Sequence, residues 1–340
     1  MVRRQNRQVR LKSRPAGIPE AEHFEIVEVP VSDPSNGQIL VRNLYLSVDP
    51  AMRGWVSAVA NYSDPVALGA VMRSLAVGRV EESRHPDFHP GDYVTGMFGW
   101  QDYVLMDGKA IQRKVDSSGL PLSTCLGVLG LNGLTAYFAL LDIGQPKAGE
   151  TVVVSTAAGA VGSCAGQIAK AKGCRTVGIA GGPVKVRMCL EEFRYDAAVD
   201  YRADDFDSAF EAACPGGVDV YFDNTAGRIS DAVMGRLNVG ARVVVCGTAS
   251  IASWDPPPQG PRVERHLLVK RARMQGFLIF DYAQRYPEAL RELEAWVRSG
   301  QIHYREDILE GIEQAPGSIA GLYRGENLGK RLIRIAPEAR

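Results

Sequence analysis

The order of hydrophobic and polar positions divides the chain into two regions with different predicted elements. Over roughly the first 110 residues, short apolar runs are separated by Pro, Gly, Asn and Asp; the runs are FEIVEVPV, GQILVRNLYLSVD, VGRVEES and GDYVTGMFGWQDYVLM. Runs of this kind, bounded by turn residues, are typical of strands. RQVRLKSRP, ahead of them, is predicted to be an edge strand with charged residues facing solvent. This region is therefore predicted to form a compact, β-barrel-like domain.

After about residue 125, strand-like runs alternate with helical segments. The strand-like runs are TVVVST, RTVGIAG, AAVDY, VDVYFDN and ARVVVCG, and the first helical segments are GAVGSCAGQIAKAKG and VKVRMCLEEF. This alternation predicts a parallel α/β sheet. YPEALRELEAWVRSG predicts an amphipathic helix whose apolar face comprises Ala289, Leu290, Leu293, Ala295, Trp296 and Val297. The tail GENLGKRLIRIAP ends in a strand-like run that is predicted to return to the first domain.

The turn after TVVVST has the context of a dinucleotide-binding fingerprint. The pattern GxGxxG corresponds here to Ala157, Gly159 and Gly162, so alanine replaces the first glycine. Gly159 would let the backbone approach a pyrophosphate, and Gly162 would let the following helix pack closely on the sheet. Free N–H groups at the start of that helix would bind the phosphate charge. The turn therefore predicts dinucleotide binding, although helix–strand packing alone would also favour small residues here.

The end of the next strand indicates which dinucleotide is bound. An NAD site usually has Asp or Glu about 20 residues beyond the turn, to bind the ribose 2′-OH. This region is GIAGGPVK, which contains no acid and ends at Lys185. Lysine near a helix start is unfavourable unless it has an anionic partner. We therefore expect Lys185 to bind the 2′-phosphate of NADP(H), with Tyr201 covering the same phosphate. A solvated lysine at a helix start is the alternative interpretation.

Composition narrows the class of protein. The chain has 39 Lys and Arg residues against 39 Asp and Glu residues, so no basic surface for nucleic acid is expected. No apolar run is long enough for a membrane span, and the basic N-terminus lacks the apolar core of a secretory signal. The six cysteines form no CxxC pair and the five histidines no HExxH motif. We expect a cytoplasmic protein with reduced thiols and no metal site.

Several stretches together resemble one family. They are LYLSVDPAMRG, GLTAYFALLDIG, AAGAVGSCAGQIAKAKGC, VYFDNTAG, ARVVVCG and ENLGK, and they are spread over nearly the whole chain. The chain resembles the zinc-independent medium-chain dehydrogenase/reductases of the leukotriene B4 12-hydroxydehydrogenase, prostaglandin reductase and alkenal double-bond reductase group. YSDPVALGAVMRSLAVGRV and FDYAQRYPEAL are closer to its bacterial, curcumin reductase-like branch.

The resemblance implies an α/β protein with two domains. A GroES-like β-barrel domain would comprise residues 1–126 and 305–340, and a Rossmann domain with a doubly wound parallel sheet would comprise residues 127–304. It implies a homodimer and NADPH-dependent reduction of the C=C bond of α,β-unsaturated aldehydes or ketones. The implied cofactor site comprises Thr135, Gly159, Ala160, Val161, Gly162, Lys185, Tyr201, Asn224, Cys246, Gly247, Thr248, Ala252, Phe277, Leu278, Ile279 and Asn327.

The chain departs from the family at two positions. Members often have tyrosine where this chain has Ala51, and many have tyrosine in the region that is TASIASW here, which contains Ala252. Trp254 is a candidate to fill the second space, and plain packing would also explain it. An acidic or substrate-orienting tyrosine is therefore not expected at either position.

The predicted chemistry requires a donor for the carbonyl oxygen of the substrate. Hydride addition to the β-carbon makes this oxygen negative, and the α-carbon then takes a proton. Tyr62, in VANYSDPVALG, is the first candidate because it lies on a predicted loop, where functional groups concentrate. The cofactor ribose hydroxyl or water could serve instead, and Tyr282 is a weaker candidate. A quinone reductase of the same superfamily and a non-catalytic NADPH-binding sensor stay open as alternative functions.

Overall fold

The computed structural model describes residues 4–58, 62–116, 119–251, 256 and 258–338. The chain divides into two compact units: Met1–Leu126 with Glu306–Arg340, and Gly127–Arg305. The two units contain different kinds of sheet, and each is described by itself.

The strands of both units are short, and they begin and end close to the apolar runs of the sequence. In chain order they are β1 Gln5–Leu11, β2 Phe24–Pro30, β3 Gln38–Ser47, β4 Ala76–Ser83, β5 Tyr93–Gly96, β6 Tyr103–Asp107, β7 Arg113–Val115, β8 Thr151–Ser155, β9 Arg175–Ala180, β10 Ala197–Asp200, β11 Val218–Asp223, β12 Leu237–Val245, β13 Arg273–Gly276, β14 Glu306–Glu310 and β15 Lys330–Arg334.

Most of the helical structure belongs to the second unit. The α-helices are α1 Met52–Trp55, α2 Leu131–Phe138, α3 Ala160–Ala171, α4 Pro183–Glu191, α5 Phe206–Ala213, α6 Gly227–Met234, α7 Glu264–Lys270, α8 Tyr286–Arg298 and α9 Ala315–Arg324. Shorter 3-10 segments occur at Ala21–His23, Gly108–Ala110, Leu122–Leu126, Ile279–Arg285 and Ile312–Gln314, and a π-helical turn follows α2 at Ala139–Gly144.

The first unit is built on a mostly antiparallel sheet that the C-terminal tail completes, and only its edge pair, β14 and β15, is parallel among the described strands. In its described part the strand order is β14-β15-β3-β4-β5-β7, with β6 also paired to β3 and with β1 and β2 forming a separate pair. The tail strand β15 runs antiparallel to β3, as the alternating pattern of the tail predicts. Lys330 is buried there and donates to Ser47 Oγ at 2.7 Å and to Asp49 Oδ1 at 2.6 Å. This buried ion pair joins the start of β15 to the end of β3.

The second unit contains a parallel sheet with the order β10-β9-β8-β11-β12-β13 among its described strands. Every neighbouring pair is parallel, and the chain passes from β8 outward on one side before it returns to the other side. This is the order of a doubly wound Rossmann sheet, which confirms the predicted fold class. All five residues of β8 are buried, because a central parallel strand is covered on both faces.

Helix α8 confirms the predicted amphipathic pattern except at one position. Ala289 and Leu293 are buried, whereas Ala295 is exposed. Because successive residues of a helix are rotated by about 100°, Ala295 lies roughly 200° from Leu293 and faces away from the core. The prediction that Ala295 belongs to the apolar face is wrong.

Candidate cofactor and active site

The turn between β8 and α3 brings three backbone features together. Thr156 takes a left-handed conformation with φ 54°, and its carbonyl accepts a hydrogen bond from the Gly159 N–H at 2.9 Å. Gly159 precedes the first turn of α3, and no side chain caps the helix there. The N–H groups of Ala160, Val161 and Gly162 have no intrahelical acceptors at this position. The helix start therefore has the chemistry of an anion-binding site.

Gly162 allows α3 to approach the turn closely. A Cβ atom at this position would lie 2.2 Å from the Thr156 carbonyl oxygen and 2.9 Å from the Ala157 Cα. Ala157, which replaces the first glycine of the fingerprint, is fully buried and donates its N–H to the Ile179 carbonyl at 3.0 Å. Alanine is accommodated because Thr156, one residue earlier, takes the positive φ that the turn needs.

The ends of β9 and β10 meet beside the start of α4. A Cβ at Gly181 would lie 2.8 Å from Tyr201 Cε1 and 3.1 Å from Arg202 Nε. Asp200 Oδ1 accepts hydrogen bonds from the N–H of Gly182 at 2.8 Å and from the N–H of Arg202 at 2.9 Å. Lys185, in the first turn of α4, is half-buried. Sequence reasoning predicts Lys185 and Tyr201 for this position and does not single out Arg202 or Asp200.

Asn224 connects the carboxyl ends of β11 and β8. Its side-chain Nδ2 donates to the Ser155 carbonyl at 2.7 Å, and its backbone N–H donates to Ser155 Oγ at 2.8 Å. The neighbouring Asp223 carboxylate, 1% exposed, accepts from the N–H groups of Thr225 and Ala226 and from Ser230 Oγ. Sequence reasoning missed Asp223, although an acid directly after a buried strand run was a visible signal.

The segment after β12 continues along the same edge of the sheet. The N–H groups of Cys246 and Gly247 donate to the Asp223 carbonyl at 2.8 and 3.0 Å. Burial, followed by the nearby Asp223 charge, raises the pKa of the Cys246 thiol to about 12, so this thiol is protonated at neutral pH. Thr248 accepts from the Ile251 N–H at 3.0 Å. Ala252 and Trp254 lie outside the described residues.

The residues after β13 lie in an aromatic cluster of the same unit. The Phe277 N–H donates to the Val245 carbonyl at 3.1 Å, and the Phe277 ring lies 5.1 Å from the ring of Tyr282. Tyr282 also stacks on Phe138 at 4.9 Å, and burial raises its pKa. This packing explains the aromatic ring of Tyr282 as part of the cluster. Leu278 is exposed, whereas Ile279 is half-buried and accepts from the Tyr286 hydroxyl through its carbonyl.

These residues share one position in the fold. They follow the carboxyl ends of β8, β9, β11, β12 and β13, where doubly wound sheets bind nucleotides. Thr135 is half-buried on α2, which packs against α3. The geometry therefore fits a bound dinucleotide. The helix start has no side-chain cap, Gly162 allows a close approach, and polar groups lie at the carboxyl ends of the strands.

Tyr62 belongs to the first unit and is about half exposed (47%). The protein around it raises its pKa by desolvation, while the Trp55 indole beside it acts in the opposite direction. The Trp55 carbonyl accepts the Val66 N–H at 2.8 Å, and the Arg73 guanidinium donates to the Asp64 carbonyl at 2.9 Å. These bonds hold the backbone that follows Tyr62. Because its pKa is raised, the Tyr62 phenol is protonated at neutral pH.

Two other predicted positions of the first unit have local partners. Asn327 Nδ2 donates to the Gly329 carbonyl at 2.8 Å, so one of its amide hydrogens stabilises its own loop. Ala51 is half-buried at the start of α1, and its carbonyl accepts the Trp55 N–H at 3.2 Å. Within the described residues, His, Cys, Asp and Glu form no group of three or more that could hold a metal ion. No helix in the same part of the chain is both long and apolar enough to cross a membrane.

The chain is similar to known oxidoreductases along its whole length. Residues 7–114 match the model of an oxidoreductase N-terminal domain, and residues 160–295 match the model described as zinc-binding dehydrogenase. The NADPH-dependent curcumin reductase of Escherichia coli is 47% identical, with 98% of each chain covered. Prostaglandin reductase 1 of Sus scrofa is 40% identical over 95% of this chain and 97% of its own.

A solved structure agrees with both the fold and the cofactor. CurA from Vibrio vulnificus in complex with NADPH is 43% identical, with a TM-score of 0.92 over 98% of this chain and 100% of that chain. Fold and site thus define an NADP-dependent oxidoreductase of the Rossmann type. The chain belongs to the medium-chain dehydrogenase/reductase family, in the group of the prostaglandin, 2-alkenal and curcumin reductases.

Proposed function

We propose that the protein reduces the C=C bond of α,β-unsaturated aldehydes and ketones with NADPH. The observation that supports this most directly is that the chain belongs to the NADP-dependent group of the prostaglandin, 2-alkenal and curcumin reductases. The names of the relatives agree with it: one is an NADPH-dependent curcumin reductase of Escherichia coli and another is a 2-alkenal reductase of Nicotiana tabacum.

The cofactor is proposed to bind along the carboxyl edge of the sheet in the second unit. The helix start at Gly159–Gly162 would bind the pyrophosphate through backbone N–H groups. Lys185 and Tyr201 would bind the 2′-phosphate, because both lie near the ends of β9 and β10. The remaining proposed contacts are Thr135, Asn224, Cys246, Gly247, Thr248, Ala252, Phe277, Leu278, Ile279 and Asn327.

Tyr62 is proposed to act on the carbonyl group of the substrate. When bound, NADPH supplies the hydride for the β-carbon of the enone. The Tyr62 phenol donates a hydrogen bond to the carbonyl oxygen as negative charge develops on it. The α-carbon then takes one proton, from Tyr62 or from water, so that one hydride and one proton convert the C=C bond to a C–C bond.

This chemistry is proposed to proceed without zinc, although one matching family model is described as zinc-binding. The support is the arrangement of the residues that usually bind zinc. In the described ranges, no three His, Cys, Asp or Glu side chains lie close enough together to hold a metal ion. All six cysteines are free thiols, and free thiols are typical of a reducing compartment such as the cytoplasm.

A homodimer is proposed to form at the β13 edge of the second unit. In the described sheet β13 pairs with β12 only, and all four of its residues are exposed. Leu268 and Val269 on the adjacent α7 are 78% and 56% exposed, and Met274 on β13 is 39% exposed. A second copy of the chain could pair with this edge across a two-fold axis and cover the apolar side chains.

The test is NADPH oxidation with enals, enones and quinones, each measured also with NADH and followed by mass analysis of the product. Turnover of enones to saturated carbonyl compounds is the expected result. Turnover of quinones alone would identify a quinone reductase, and tight NADPH binding without turnover on any substrate would identify a sensor. Either of these outcomes would overturn the proposal.

A further inference from the structure

We infer that Arg202 is a determinant of cofactor specificity that acts as the second cation of the 2′-phosphate site. The inference rests on the proposed position of the cofactor at the carboxyl edge of the sheet. Arg202 follows β10 directly, and β10 is the neighbour of β9 in the sheet. The Arg202 Nε lies 3.1 Å from the point where a Cβ on Gly181 would be, so the guanidinium borders the end of β9.

Asp200 fixes the direction of the Arg202 backbone. Its Oδ1 accepts the N–H of Gly182 at 2.8 Å and the N–H of Arg202 at 2.9 Å, so this one carboxylate oxygen connects the two strand ends. In an NAD site, an acid at the end of the second strand binds the ribose 2′-OH. Here Asp200, at the end of the third strand, accepts from backbone N–H groups. Asp200 is therefore a positioning residue for the strand end that carries the cationic Arg202.

Tyr201 orients the guanidinium of Arg202. The guanidinium carbon lies 5.6 Å from the centre of the Tyr201 ring, within the range of a cation–π contact. The same ring lies against Gly181, because a Cβ there would be 2.8 Å from Tyr201 Cε1 and 3.0 Å from its hydroxyl oxygen. Glycine thus leaves room for the ring and for the guanidinium together. A larger residue would displace both groups from the strand end.

The charge of the ligand explains why one lysine is not sufficient. A phosphate monoester has a charge of about −1.5 to −2 at neutral pH, and Lys185 supplies a single positive charge. A guanidinium provides a planar set of donors that matches phosphate oxygens in a bidentate arrangement. Arg202 would complete the neutralisation and would contribute nothing comparable to a ribose 2′-OH. It would therefore favour NADPH over NADH.

The experiment measures binding by calorimetry for Arg202→Gln, with four ligands: NADPH, NADH, adenosine 2′,5′-bisphosphate and adenosine 5′-monophosphate. Loss of a charge-assisted hydrogen bond is expected to weaken the binding of NADPH and of the bisphosphate about 10- to 100-fold. The affinities for NADH and for the monophosphate are expected to change less than about twofold. Arg202→Lys, which keeps the charge without the planar fork, is expected to recover part of the affinity.

Arg265→Gln is the matched control, because Arg265 is exposed on α7, which packs against β12 and not against β10. Equal weakening of all four ligands by Arg202→Gln would show that Arg202 stacks on the adenine, and it would overturn the inference. No weakening of any ligand would overturn it as well. Lys185→Ala distinguishes a wrong role for Arg202 from a wrong position of the cofactor. If this substitution also leaves the affinities for NADPH and NADH unchanged, the proposed 2′-phosphate site is wrong.

Discussion

The carboxylate of Asp223 holds Ala226 in a left-handed backbone conformation. Ala226 has φ 59°, and its N–H donates to Asp223 Oδ1 at 2.9 Å. The same carboxylate accepts from the Tyr221 and Ser230 hydroxyls, so a single buried acid organises the turn that begins α6. Because the carbonyl of Asp223 also accepts from the segment after β12, two of the proposed cofactor-binding segments depend on this residue.

Asp223→Asn is expected to destabilise the protein by about 2 kcal/mol, because the new amide hydrogens face groups that donate to the native carboxylate. Urea denaturation measures the change in the free energy of unfolding, and calorimetry measures the expected loss of NADPH affinity. Asp204→Asn, at an exposed position, is the control and should change stability by less than about 0.5 kcal/mol. An equal effect of the two substitutions would contradict the role given to Asp223.

Ala226→Gly is expected to stabilise the protein by about 0.5–1 kcal/mol. Glycine removes the left-handed strain of about 1–2 kcal/mol, and its greater freedom in the unfolded chain offsets part of this gain. The reference is Ala232→Gly within α6, which should destabilise by about 1 kcal/mol. The two substitutions are therefore expected to shift the urea midpoint in opposite directions, and a shift in the same direction would refute the argument.

Gly162→Ala is expected to destabilise the protein by about 2–3 kcal/mol and to weaken NADPH binding. The new methyl group would lie 2.2 Å from the Thr156 carbonyl oxygen, and the backbone atoms of Thr156 and Ala157 that it meets cannot move without opening the turn. Gly216→Ala is the control, since no atom lies within 4 Å of the Cβ that it adds. Thermal unfolding with and without NADPH compares the two, and normal stability of Gly162→Ala would show that the turn is looser than the structure indicates.

Tyr62→Phe is expected to lower kcat about 100-fold with enones and to leave the Kd of NADPH unchanged. Burial raises the pKa of Tyr62, so its phenol stays protonated throughout the neutral range and loses its proton only at a pH above the usual pKa of tyrosine. The contribution of Tyr62 to kcat should therefore be constant from about pH 6 to 9 and should be lost only above about pH 10. Unchanged kcat in Tyr62→Phe would assign the donor role to the cofactor ribose hydroxyl or to water.

Leu268→Glu with Met274→Glu is expected to convert a dimer to a monomer. Two like charges per copy would meet their symmetry mates at an otherwise apolar contact. Light scattering after gel filtration measures the mass of the particle. Leu190→Glu, on the exposed side of α4 at the other end of the sheet, is the control and should leave the mass unchanged. A wild-type monomer, or a dimer that survives the double substitution, would rule out the β13 interface.

The features that sequence reasoning found are those with a local cause. The strand β8 is an unbroken apolar run, and Gly162 has its spacing fixed by the turn that precedes it. The tail strand β15 was visible from alternation alone. The prediction for Lys185 likewise rests on its distance along the chain from the glycine turn. Each of these needs only a few neighbouring residues to be recognised.

The features that were missed depend on strand order. Arg202 reaches Gly181 only because β10 and β9 are neighbours, and Asp223 reaches Ser155 only because β11 lies beside β8. The surroundings of Tyr62 are another example, since Tyr323, more than 200 residues away in the chain, lies within electrostatic range of it. No local pattern reports such contacts, and only the three-dimensional pairing of elements shows them.

The central claim is that the protein delivers hydride to the β-carbon of an enone, and isotope transfer tests it most directly. NADPH deuterated at the transferable position of its nicotinamide ring is incubated with the protein and an enone, and the product is analysed by mass spectrometry and NMR. The account predicts a saturated ketone with one deuterium on the β-carbon and solvent hydrogen on the α-carbon. An allylic alcohol with deuterium on the carbonyl carbon would contradict it.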